Sequence, residues 1–167
     1  GETNIRNTAS EGLNISGTIN NEGQLTIQNG IEAATDAANA KNSEMAGLTI
    51  TGAINNIGNA NITNYAAGGL NVESEGTITN NQGTLAMLNT DGGLNIAGTV
   101  NNQGTTTDIT NHGANGLNVN GTVASNGNLA MTNTGAKGLN IASSGRVNGN
   151  NNITITNTGA GGVNVKG

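Results

Sequence analysis

The sequence predicts an all-β fold: a single-stranded parallel β-helix, or β-solenoid, of about seven coils with three short strands in each 22–24-residue coil. Three observations predict it. A Gly-Leu-Asn-Ile-type motif recurs along the chain, apolar and polar residues alternate within each repeat, and the composition excludes an ordinary core. Only 33% of the 167 residues are hydrophobic and 1% are aromatic, whereas typical domains are roughly 45–50% apolar.

The repeat is defined by its first glycine. This glycine lies at Gly12, Gly47, Gly69, Gly93, Gly116, Gly138 and Gly162. An internal repeat of this length indicates a solenoid, in which each unit buries its apolar residues only by stacking on its neighbours. The longer repeats predict extra residues at the first corner, at 73–75 and 142–144, and one more near Thr107 and Asp108.

Each repeat contains three short apolar-polar alternations, which predict three strands. In the first complete coil, Leu13 and Ile15 mark the first strand, Ile19 the second, and Leu25 and Ile27 the third. Side chains two residues apart share one face of a strand, so these residues are expected to point inward. Their equivalents in later coils form five columns, which would stack about 4.8 Å apart into one continuous core.

Asparagine occupies the corner after the third strand in every coil. The column comprises Asn7, Asn29, Asn64, Asn89, Asn111, Asn133 and Asn157. An amide both donates and accepts hydrogen bonds, so a stacked column of this kind predicts an Asn ladder. A second polar column contains Asn20, Asn55, Asn101 and Asn148, with Thr79 and Ala124 in two coils. For that column, a simple preference of Asn for turns remains an alternative.

We interpret residues 1–167 as one solenoid segment that starts and ends mid-coil, with an insertion loop at 30–46. The insertion adds 13 residues to one coil and is Ala-rich, and one or two helical turns are expected in it. It is the candidate interaction loop, through Glu32, Asp36, Lys41 and Glu44, because recognition concentrates in loops on rigid scaffolds. A plain solvated loop is the alternative. An excised piece of a longer array and a filament subunit both fit the mid-coil ends.

Catalytic, metal and cofactor sites are not expected. The single histidine, His112, lies in a predicted turn, and Glu73 and Glu75 form an isolated acidic pair at a corner. The net charge of −5 and the five scattered Lys and Arg residues argue against nucleic acid as a partner. No apolar run approaches the ~20 residues of a membrane helix, so membrane insertion is not expected.

The G-L-N-I, G-T-I-N-N-x-G and L-T-I-x-N elements resemble the coil repeats of filamentous-haemagglutinin-like exoproteins of two-partner secretion and of autotransporter passengers. The resemblance covers nearly the whole chain outside residues 30–46. It implies a right-handed β-helix at the surface of a Gram-negative bacterium or outside the cell, serving as the stalk of an adhesin or large secreted exoprotein. Neighbouring solenoid segments and a host or bacterial surface receptor would be its partners.

A self-assembling extracellular filament, or a functional amyloid subunit, is the alternative to a stalk. Such assemblies also use Gly- and Asn-rich repeats of similar length with stacked polar ladders. The aliphatic inward columns and the 13-residue insertion favour the stalk, because a monomeric solenoid accepts an insertion more readily than an in-register fibril does.

Overall fold

The computed structural model describes residues 1–32 and 35–167, and it contains strands and one helix. In chain order they are β1 (Glu2–Asn7), β2 (Leu13–Ile15), β3 (Thr18–Asn21), β4 (Gln24–Asn29), α1 (Asp36–Ser43), β5 (Leu48–Ile50), β6 (Ala53–Asn56), β7 (Ala60–Asn64), β8 (Leu70–Val72), β9 (Thr77–Asn80), β10 (Thr84–Asn89), β11 (Leu94–Ile96), β12 (Thr99–Asn102), β13 (Thr106–Asn111), β14 (Leu117–Val119), β15 (Thr122–Ser125), β16 (Asn128–Asn133), β17 (Leu139–Ile141), β18 (Arg146–Gly149), β19 (Ile153–Asn157) and β20 (Val163–Val165).

The strands form three sheets, one for each strand position in the coil. Sheet 1 runs β2-β5-β8-β11-β14-β17-β20, sheet 2 runs β3-β6-β9-β12-β15-β18, and sheet 3 runs β1-β4-β7-β10-β13-β16-β19. Every strand pair in them is parallel, and each strand pairs with its equivalents in the adjacent coils. The predicted β-solenoid of about seven coils with three short strands per coil is therefore confirmed.

The five predicted apolar columns are in register from coil to coil. In sheet 1, for example, Leu94 pairs with Leu117 and Leu117 pairs with Leu139. All three side chains are fully buried. The alternation of buried and exposed residues follows from the two-residue period of a strand, since every other side chain points into the interior.

Sheet 3 corrects one detail of the sequence interpretation. The extra residue expected near Thr107 and Asp108 is not within the strand, because β13 pairs with β10 and β16 residue by residue from Thr106 to Asn111. It lies instead in the turn between β12 and β13, which has three residues where the turn between β15 and β16 has two. A turn absorbs a residue without shifting the stacked core, whereas an extra residue inside the strand would break its pairing.

The insertion contains the expected helical turns but does not simply project from the stack. Helix α1 is capped by Thr35, whose hydroxyl accepts a hydrogen bond from the backbone N–H of Ala38 at 3.3 Å. Two residues of the insertion, Asn42 and Met45, are buried, with exposed fractions of 4% and 3%. The base of the insertion is therefore packed against the solenoid.

Helix α1 has eight residues. No helix in the described part of the chain is both long enough and apolar enough to cross a bilayer.

Candidate functional site

The seven corner asparagines form one continuous hydrogen-bonded ladder, the corner ladder. In each step, the Nδ2 atom of one Asn donates to Oδ1 of its equivalent on the next coil, from Asn7 through Asn29, Asn64, Asn89, Asn111 and Asn133 to Asn157, at 2.7–2.9 Å. The five inner members are fully buried. Each occupies the last position of its strand in sheet 3, so the ladder follows directly from the register of that sheet.

A second hydrogen bond fixes the orientation of each corner amide. Nδ2 of Asn111 also donates to the carbonyl of Gly113 at 2.8 Å, and Asn133 does the same to Gly135 at 2.8 Å. Both N–H groups of these amides are thereby used. In the coil with the insertion, Asn29 donates instead to the carbonyl of Ala46 at 3.0 Å. The corner is therefore closed across the base of the insertion, which explains how the ladder continues past it.

Sheet 2 carries a second inward ladder that sequence reasoning missed. Asn21 donates to Asn56, Asn56 to Asn80, and Asn80 to Asn102, at 2.6, 2.8 and 3.0 Å. The second polar column identified from the sequence, Asn20, Asn55, Asn101 and Asn148, precedes these positions by one residue and lies on the outward side of the sheet. Within it, Asn55 donates to Oδ1 of Asn20 at 2.9 Å. The signal was present in the sequence: Asn21 is two residues after inward Ile19, so it shares the same face.

The inward ladder of sheet 2 ends in hydroxyl groups. Nδ2 of Asn102 donates to Oγ1 of Thr107 at 3.0 Å, and Oγ1 of Thr107 donates to Oγ of Ser125 at 2.8 Å. Ser125 then donates to the carbonyl of Gly127 at 3.2 Å. The apolar column of Leu85 and Leu129 contains two polar residues, Thr3 and Thr107. Thr107 is paired with the one serine of the ladder column, and Oγ1 of Thr3 donates to Oδ1 of Asn21 at 2.7 Å.

A third ladder runs along the outward face of sheet 1. Asn164, Asn140, Asn118 and Asn95 each donate to the preceding coil, ending at Asn71, at 2.8–3.0 Å. The amide of Asn118, for example, is both a donor to Asn95 and an acceptor from Asn140. The exposed face of sheet 1 therefore also carries a regular array of amides.

The four charged residues of the candidate interaction loop are all exposed. Glu32 precedes α1, Asp36 and Lys41 lie in its first and last turns, and Glu44 follows it. The insertion is held by the buried Asn42, whose amide bonds both backbone groups of Ile31: Oδ1 accepts from the N–H at 2.9 Å, and Nδ2 donates to the carbonyl at 2.6 Å.

A cleft of about 700 Å³ lies beside the insertion, and we call it the insertion cleft. It is lined by Glu32, Asn39, Asn42, Tyr65, Leu88, Thr90, Asp91 and His112. Burial, and secondarily the nearby carboxylate of Glu32, raises the pKa of the Tyr65 hydroxyl, while the charge of Arg6 acts in the opposite direction. Of the four predicted interaction residues, only Glu32 is part of this lining.

The residues weighed for chemistry are placed apart. The imidazole of His112 is exposed, and its Nδ1 atom lies 2.9 Å from Oγ1 of Thr134. Glu73 and Glu75 are exposed in the turn between β8 and β9. Within the described residues, no group of three or more His, Cys, Asp or Glu side chains is arranged to hold a metal ion.

Comparison with protein-family models, with curated proteins and with solved structures finds no match to this chain.

Proposed function

We propose that this chain is a rigid, non-enzymatic stalk segment of a bacterial surface adhesin or large secreted exoprotein. The segment holds a binding region away from the cell, and it lies outside the cell or on the surface of a Gram-negative bacterium. Its partners are the neighbouring solenoid segments of the same molecule and, through the tip that it carries, a host or bacterial surface receptor.

The observation that supports this proposal best is the unbroken register of sheet 3. Seven strands stack in parallel from β1 to β19, and six steps of about 4.8 Å give a stack about 29 Å high. Because each added coil extends such a stack by one step, a longer array would be a longer rod of constant cross-section. A stalk needs this property, because its length must increase with the number of coils.

The hydrogen-bonded ladders support rigidity. The corner ladder crosses every coil boundary in sheet 3, and the outward ladder of sheet 1 links the last five coils. Buried amides with both donors satisfied resist displacement, because separating two coils would leave polar groups unpaired in the interior. The rod is therefore tied by side chains as well as by backbone hydrogen bonds.

The alternative role, a self-assembling filament or functional amyloid, is less well supported because of the insertion. Asn42 and Met45 pack into one corner only, so the coils are not interchangeable layers of an in-register fibril. Purified protein should be a soluble monomer without a thioflavin response. Fibres that resist high salt would favour the filament instead.

Duplication of three whole coils, residues 70–138, tests the stalk geometry. The duplicated chain should fold, and spin labels at Asn4 and Thr154 should move apart by about 14 Å, three coil spacings. An unfolded product, or an unchanged distance, would contradict a modular stalk. Antibody labelling of intact producing cells tests the location: labelling that requires permeabilised cells would contradict a surface role.

A further inference from the structure

The insertion cleft brings together side chains that the stalk role does not use. One wall comes from the insertion, through Glu32, Asn39 and Asn42, and the floor comes from residues at the ends of β7, β10 and β13. The floor includes the only tyrosine of the sequence, Tyr65, and its only histidine, His112. Three successive coils and the only long insertion thus contribute to one concave surface.

The charge of the cleft favours a cation. Glu32 and Asp91 contribute two carboxylates, and no Lys or Arg is found among its described lining residues. Arg6 is close enough to influence the Tyr65 hydroxyl, but it does not line the cleft. Because the chain as a whole carries a net charge of −5, its long-range field also attracts positive partners.

The apolar part of the lining suits a long side chain with a charged end. Tyr65 and Leu88 are half-buried and offer an aromatic ring and an aliphatic surface. A lysine side chain packs its methylene groups on such surfaces while its ammonium group stays near water, and a cation is also attracted to an aromatic face. The hydroxyl of Thr90 and the amide oxygen of Asn39 add neutral acceptors for ammonium hydrogens.

We propose that the insertion cleft binds a lysine side chain of a partner protein, with its ammonium group attracted by the carboxylates of Glu32 and Asp91. The inference goes beyond the stalk proposal and does not depend on it, because it concerns only the insertion cleft on the side of the solenoid. It gives the insertion a recognition role in which Glu32 takes part, whereas Asp36, Lys41 and Glu44 do not.

The probe is a Gly-Gly-Lys-Gly-Gly peptide with blocked ends, added to the isotope-labelled chain at low ionic strength, where charge interactions are least screened. Resonances of Tyr65, Thr90 and His112 should shift in a saturable way. The same peptide with an acetylated lysine lacks the charge and should leave these resonances in place. No shift with the lysine peptide, or equal shifts with both peptides, would overturn the proposal.

Charge-neutral variants locate the site. Glu32→Gln and Asp91→Asn should each weaken peptide binding by about threefold or more. Glu73→Gln removes the same charge from the exposed turn between β8 and β9, so it should bind as the parent does. Unchanged affinity in both cleft variants would overturn the assignment. Binding of a neutral sugar such as maltose, without binding of the lysine peptide, would also overturn it, because the cleft would then not select a cation. Melting curves show whether each variant is folded.

Discussion

Nδ2 of Asn111 lies 2.8 Å from Oδ1 of Asn133 on the next coil, and both side chains are fully buried. Asn133 in turn donates to Oδ1 of Asn157 at 2.7 Å. Each inner member of the corner ladder is therefore an acceptor for one coil and a donor to the next. Removing one amide leaves unsatisfied groups in two neighbours rather than in one.

Replacement of Asn133 by Leu should lower the free energy of unfolding by about 1–3 kcal/mol, because buried polar groups lose their partners. The same substitution at Asn118, in the outward ladder, should cost less, since this side chain is only half-buried and water can replace the lost amide. Denaturant titration of both variants makes the comparison. Equal losses would indicate that the corner column reflects only a turn preference.

Replacement of Thr107 by Val should destabilise the chain although it adds apolar surface to the core. One N–H of Asn102 would lose its acceptor, at a cost of about 1–3 kcal/mol. Adding Ser125→Asn supplies a new acceptor at the ladder position and should recover most of the loss. Thermal unfolding of the two single variants and the double variant tests this. If the two substitutions changed the stability by strictly additive amounts, this would contradict the coupling between the column of Thr107 and the ladder column of Ser125.

Replacement of Gly116 by Ala should cost about 1–3 kcal/mol, because the backbone there has φ of +83° and an added Cβ would lie 2.5 Å from the carbonyl oxygen of Gly138. Gly17→Ala is the matched control: its φ is not positive, and a Cβ there would have no heavy atom within 4 Å. Stability measured by chemical denaturation should separate the two. A tolerated Gly116→Ala would contradict the tight stacking of this corner.

Replacement of Asn42 by Ala should loosen the insertion without unfolding the rod. Both backbone groups of Ile31 would lose their amide partner, so amide hydrogen exchange should rise in α1 and at Ile31. Exchange in sheets 1 and 2 should stay unchanged. Asn39→Ala, an exposed change on the same helix, should leave exchange at Ile31 as it is. A global rise in exchange would show that the insertion supports the whole solenoid.

The fold followed from the sequence because the repeat is visible in it. Apolar positions such as Leu94 and Leu117 recur with the coil period, and a parallel stack is the arrangement that buries them. The corner ladder followed for the same reason. The inward ladder of sheet 2 was not predicted. The polar column identified in that strand, at Asn20 and its equivalents, faces outward, and only the two-residue spacing from Ile19 shows that the next asparagine, Asn21, faces inward.

The insertion cleft could not be predicted. Glu32, Tyr65, Asp91 and His112 come from different coils, and no repeat pattern relates them. They lie around one cleft because the insertion packs back onto the corners of the coils that follow it. That packing depends on Asn42, the buried polar residue of an Ala-rich segment that carries no periodic signal.

Distances between spin labels in one outward column of sheet 3 test the central claim, a rigid parallel stack, most directly. Asn4, Asp108, Ala130 and Thr154 occupy this column on the first, fifth, sixth and seventh strands. Pairs that link Asn4 to Asp108, Ala130 and Thr154 should give narrow distributions near about 19, 24 and 29 Å, rising by one coil spacing at each step. Distances that do not rise in equal steps, or broad distributions for all three pairs, would contradict the account.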